Sequence, residues 1–95
     1  MGDTVKISTL LSYAGGFKEA VAEVKALEKA GLDMVWVPEA YSFDAPTAMG
    51  YLAAETERVI IASGILPIYT RTPSVLAMTA AGLDYLSDGR AMLGL

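Results

Sequence analysis

Residues 32–73 read LDMVWVPEAYSFDAPTAMGYLAAETERVIIASGILPIYTRTP, and the alternation inside this stretch decides the fold. Met34-Val35-Trp36-Val37 is a short, wholly apolar run cut off by Pro38 and Glu39. Continuous apolar runs of this kind suit strands covered on both faces, as parallel strands are. Asp44-Ala45-Pro46 then offers a polar cap with proline in the first turn, which predicts a helix to about Thr56. Met49, Leu52 and Ala53 fall on its inward side. Val59 to Ile65 (VIIASGI) predicts the next strand, continuing loosely to Ile68, and Thr72-Pro73 repeats the cap-and-proline start.

The alternation continues outward on both sides. Val5 to Tyr13 (VKISTLLSY) predicts a first strand, ended by Ala14-Gly15-Gly16. From Phe17 to Ala30 the residues Phe17, Ala20, Val21, Val24 and Leu27 recur at helical spacing, while Lys18, Glu19, Glu23, Lys25 and Lys29 take the opposite face. Gly31 supplies the stop. Val75 to Leu86 predicts a third helix, Ser87-Asp88-Gly89 a turn, and Arg90 to Leu95 (RAMLGL) a fourth strand. Strands alternating with helices force parallel pairing through right-handed crossovers.

Two architectures satisfy that order: an open doubly wound sheet and part of a closed barrel. Gly15-Gly16 and Glu39 sit where a dinucleotide site would use a glycine turn and a ribose-binding acid. Lys18, Glu19 and Ala20 break the G-x-G-x-x-G spacing, so the double glycine reads as a turn.

Composition narrows the function classes. The 95 residues suit one compact domain. With 54% hydrophobic and 19% charged residues the chain is too apolar for disorder. It is also apolar for a small independent domain, so part of its surface is meant to be covered. The net charge of −4 and the scattered Lys and Arg exclude a nucleic-acid partner. No Cys and no His are present, which removes the metal sites and nucleophiles built on them. The apolar runs fall short of a membrane span of ~20 residues, and no secretory signal opens the chain. A cytoplasmic protein with no membrane partner is the expectation.

The run Leu32 to Tyr41, the helix Tyr51 to Arg58, the segment Ile61 to Pro67, Arg71-Thr72-Pro73 and above all Met78 to Leu95 resemble the bacterial luciferase-like monooxygenase superfamily. The Gly89-Arg90 turn and the glycine-bearing strand after it resemble the members that use the deazaflavin coenzyme F-420. The resemblance implies an α/β fold, the N-terminal half of a TIM (β/α)8 barrel. Residues 1–95 would form a single truncated segment of strands one to four and helices one to three. The cofactor lies at the carboxyl ends of the strands in such barrels, and the parts that hold its phosphate-bearing tail would lie outside these residues.

The resemblance also nominates residues. Gly64-Ile65 takes the place where relatives carry a bulge with a non-prolyl cis peptide against the cofactor's central ring. The alternative is an ordinary strand-end bulge. Glu39 is the candidate catalytic residue, because relatives place an acid here near the reactive ring; it either positions a bound group or sits solvated. Ala40 stands where some relatives have a His, which removes that proton carrier and leaves Ala40 as a cofactor contact. Ser12 and Tyr13 end the first strand on the same face and complete the cofactor-binding candidates, the alternative for Ser12 being an ordinary turn former. Tyr41 and Tyr69 either line a ring pocket or pack. Trp36 is assigned to the core, Thr72 to a helix cap, Arg71 to the surface, and Asp84 to a pairing with Arg90.

The activity implied for the parent enzyme is hydride transfer between coenzyme F-420 and a small organic substrate, with the redox chemistry carried by the cofactor. The fragment alone is expected to be inactive. One alternative is an FMN-dependent monooxygenase of the same fold. Another is an excised or engineered half-barrel without enzyme activity. Bare strand edges and an apolar inner face predict self-association, or pairing with the complementary half-barrel.

Overall fold

The computed structural model describes residues 5–12, 16–39 and 43–95. Four parallel strands, β1 (Ser8–Leu10), β2 (Met34–Val37), β3 (Ile60–Ser63) and β4 (Ala91–Met92), lie side by side in chain order. The helices α1 (Phe17–Lys29), α2 (Ala45–Glu55) and α3 (Pro73–Leu86) connect them. One cross-strand row runs Leu10, Trp36, Ala62, Met92. A sequential parallel order with all helices on one face is the arc of a (β/α) barrel rather than an open doubly wound sheet.

The helices begin and end where the sequence supplies the chemistry. The Asp44 carboxylate caps α2, accepting the Thr47 N–H at 3.1 Å and the Thr47 hydroxyl at 2.7 Å. Thr72 caps α3, its hydroxyl accepting the Val75 N–H at 3.2 Å. Gly31, at φ 110°, lets the chain turn back so that the Leu32 N–H reaches the Leu27 carbonyl.

The two outer strands are shorter than the sequence reading of Val5–Tyr13 and Arg90–Leu95. Each has a ladder partner on one side only, and pairing persists only as far as that neighbour does. Beyond β3 the loose extension is a single 3₁₀ turn at Ile68–Thr70, where the Thr70 hydroxyl donates to the Pro67 carbonyl at 3.0 Å.

Val35, Val37 and Ile61 on one face of the sheet are buried against Val21 and Val24 of α1 and Met49 and Leu52 of α2. The opposite face carries Leu10, Met34, Trp36, Ile60 and Met92. Leu10 is 63% and Met92 50% exposed there. The third helix is covered unevenly: Leu83 is buried, whereas Met78 is 74% exposed and Tyr85 also faces out.

Two side chains pin the amino-terminal end of the arc. The Arg90 guanidinium donates to the carbonyls of Ala53, Thr56, Val59 and Ser87 and to the Thr56 hydroxyl, over 2.7–3.2 Å. The expected partner Asp84 is replaced by these carbonyls because the last turn of α2 leaves acceptors without donors. Glu28 accepts the N–H groups of Glu57, Arg58 and Val59. Burial works against its charge, but the three N–H groups outweigh it and hold the carboxyl below the usual glutamate range.

Candidate functional site

The carboxyl edge of the sheet is dominated by a corner, Ser63-Gly64-Ile65-Leu66. The Gly64–Ile65 peptide bond is cis, as the resemblance implied. The Gly64 N–H donates to the Val37 carbonyl at 2.9 Å, which ties the corner to β2. On the other side the Leu66 N–H donates to the Gly94 carbonyl at 2.8 Å. The Ser63 hydroxyl donates to that same carbonyl at 2.9 Å and accepts the Gly94 N–H at 2.8 Å. Ser63 and Leu66 are fully buried, while Ile65 between them is 56% exposed. The corner is thus anchored at both ends and presents one apolar side chain.

Two glycines make this fit possible. A Cβ on Gly94 would collide with the Ser63 carbonyl oxygen. A Cβ on Gly64 would lie 3.1 Å from Cε3 of the Trp36 indole. Trp36 was assigned to the core, but it is only half-buried and lies on the uncovered face of the sheet beside this corner.

Glu39 follows β2 at the same edge. Arg71, just ahead of α3, grips its carboxylate with two parallel bonds: Nη1 to Oε1 and Nη2 to Oε2, each 2.7 Å. Oε2 also accepts the Ala45 N–H at 2.7 Å, at the first turn of α2. Both side chains are only 13% exposed. Arg71 is therefore not a surface charge, and Glu39 does not sit solvated. The Arg71 bonds, aided by the Ala45 N–H, hold the Glu39 carboxyl below the usual range against the cost of its burial. Such a carboxylate orients neighbouring loops and is a poor proton carrier at neutral pH.

The remaining candidates fall apart from this pair. Ser12 lines a shallow hollow of about 230 Å³ with Gly16, Glu19, Ala20 and Glu23, on the α1 side. Tyr69 is almost fully exposed. Tyr13, Ala40 and Tyr41 lie outside the described residues. Sequence reasoning missed Arg71, Ser63 and Gly94. No local signal marks Arg71, because its partner Glu39 follows β2, with α2 and β3 between them in the chain.

A family model described as luciferase-like monooxygenase matches residues 3–95. The chain belongs to the luciferase-like monooxygenase family. A Mycobacterium tuberculosis protein named as a coenzyme F-420-dependent oxidoreductase is 42% identical over 72 residues, 76% of this chain and 21% of that one. A 5,10-methylenetetrahydromethanopterin reductase from Methanolobus tindarius is 33% identical over 72 residues, 75% of this chain and 22% of that one. The solved coenzyme F-420-dependent tetrahydromethanopterin reductase from Methanopyrus kandleri superposes with a TM-score of 0.87 at 26% identity. That superposition covers 97% of this chain and 27% of the reductase. This luciferase-like chain therefore spans between a fifth and three-tenths of the length of these relatives, and its sheet is an arc of their barrel. Among the described residues no helix is long and apolar enough to cross a membrane.

Proposed function

We propose that the chain supplies the ring-facing part of an oxidoreductase that transfers a hydride between coenzyme F-420 and a small organic substrate. The observation that carries this reading is Ile65, an exposed apolar side chain on a corner anchored from both sides. It sits at the carboxyl edge of a barrel arc, and 72 residues of the chain are 42% identical to a protein named as a coenzyme F-420-dependent oxidoreductase. A flat apolar ring suits that side chain, and the uncovered face of the same sheet adds the neighbouring Leu10 and Trp36. When bound, the deazaflavin supplies the hydride chemistry. The chain's own contribution is to orient the ring on Gly64 and Ile65 and to keep water from its underside. Glu39 serves as a positioning residue, fixing the segment after β2 to the start of α3. The cation at this edge, Arg71, is committed to Glu39, so a phosphate-bearing tail would be held by residues outside this arc.

The test is a titration of the 95-residue chain with F-420 and with FMN, following the emission of each. F-420 emission should change on binding, and Ile65→Asp should abolish the change. A stronger response to FMN would favour an FMN-dependent monooxygenase instead. No response to either ring would overturn the reading of this corner as a cofactor surface.

A second reading rests on the bare sheet face and the two outer strands. β1 and β4 each carry an unpaired row of backbone groups, and Leu10 and Met92 stand exposed between them. Such an edge and face pair with another copy of the arc or with its complementary half, without any catalytic role for the fragment alone.

A further inference from the structure

We propose that Trp36 is a positioning residue for the Ile65 corner, a role that takes its functional meaning from the ring-site reading above. Trp36 sits at a crossing point. Its carbonyl accepts the Leu11 N–H at 2.8 Å beyond the end of β1, and its residue pairs with Ala62 of β3. Its side chain reaches two residues further on, just past the end of β3, where Cε3, Cβ and Cδ2 would lie 3.1, 3.5 and 3.7 Å from a Cβ placed on Gly64.

The indole therefore fills the inner face directly beside Gly64, the residue whose N–H holds the corner to Val37. Across the corner, Gly94 and the Ser63 hydroxyl fix the opposite side. Hydrogen bonds and the buried Leu66 restrain the corner from the covered side and along the sheet. The indole is the bulky group that meets it from the uncovered face, so it sets how far Gly64 can sink and hence the height at which Ile65 stands. A planar ring resting on Ile65 would inherit that height. On the uncovered face Trp36 packs against this backbone segment rather than against a helix.

The proposal is tested on the 95-residue chain by amide hydrogen exchange in Trp36→Leu. Exchange at Gly64 and Leu66 should accelerate at least tenfold, while Ile61 and Gly89, bonded elsewhere, stay within twofold of the parent. Trp36→Phe should restore most of the protection. Uniform acceleration at all four amides would make Trp36 an ordinary packing residue and overturn the proposal, as would no change at Gly64 and Leu66. Should Trp36→Leu fail to fold, the parent chain still decides the point. The Gly64 α-protons must show nuclear Overhauser contacts to the indole proton on Cε3, and their absence overturns the contact. The ring titration is read separately. Local loosening of the corner with no F-420 or FMN binding by the parent would leave Trp36 in its positioning role and remove the cofactor reading. Binding by the parent with unaltered exchange in Trp36→Leu would do the reverse.

Discussion

Arg71 holds Glu39 through two parallel bonds of 2.7 Å each, joining the segment after β2 to the start of α3. The pair is mostly buried, so removing one partner leaves the other charge without compensation. Glu39→Gln and Arg71→Met should each destabilise the chain by about 1.5–3 kcal/mol. Urea denaturation measures this, and the double variant should cost less than the sum of the two.

The same pair predicts how stability depends on pH. Glu28, Glu39 and Asp44 all have carboxyls held lower in the folded chain than the ordinary value, Asp44 through its bonds to Thr47. A group lowered on folding stabilises the fold above its unfolded value, about 4.3 for Glu and 3.9 for Asp. That contribution is lost as pH falls through the lower folded values. Melting temperature should therefore be flat with respect to these groups above about pH 5 and fall steadily below it. Glu39→Gln should melt lower at neutral pH and show a shallower acid decline.

Arg90 should be among the most sensitive positions. Its guanidinium serves the carbonyls of Ala53, Thr56, Val59 and Ser87 together. Lysine supplies a single nitrogen and cannot span that fork. Arg90→Lys should cost at least about 2 kcal/mol, through acceptors left without donors. Calorimetry of the variant beside Arg58→Lys, whose guanidinium serves fewer carbonyls, checks this.

Two glycines separate steric need from helix propensity. Gly94→Ala brings a methyl against the Ser63 carbonyl oxygen and should destabilise by about 1–3 kcal/mol. Gly82 lies inside α3 with open space around its missing Cβ. Gly82→Ala should instead stabilise by up to about 1 kcal/mol. Parallel chemical denaturation of the two variants should give changes of opposite sign.

The uncovered face should drive association. Leu10 and Met92 share one cross-strand row and both stand exposed. Sedimentation velocity should find the parent chain as dimers or larger species at micromolar concentration. Leu10→Lys with Met92→Lys should shift it toward monomer. A parent chain that sediments as a folded monomer would count against both the face and the edges as contact surfaces.

Much of the architecture was legible because it rests on local chemistry. The β2 boundaries follow from an apolar run ended by Pro38, and the starts of α2 and α3 from Asp44 and Thr72 beside their prolines. The corner at Gly64-Ile65 came from the family resemblance and not from any local pattern. What stayed hidden depends on partners distant in the chain. Nothing near Arg71 announces Glu39, 32 residues away. Nothing near Gly94 announces the Ser63 carbonyl. Trp36 was misassigned because an apolar residue in an apolar strand reads as core, and only the sheet's covered and uncovered faces tell the two apart. Asp84 and Arg90 lie close in sequence, yet the orphan carbonyls at the end of α2 compete more effectively for the guanidinium.

The sequential order of the sheet has a consequence for how the chain comes into being. Each strand after β1 pairs with the one synthesised just before it, so β2, β3 and β4 each find a partner already made. Contacts confined to successive units limit each loop closure to a single helical crossover, a slower step than closing a hairpin but one that never spans more than one unit. The arc is suited to growing edge by edge as it leaves the ribosome, each new unit docking on a surface already in place.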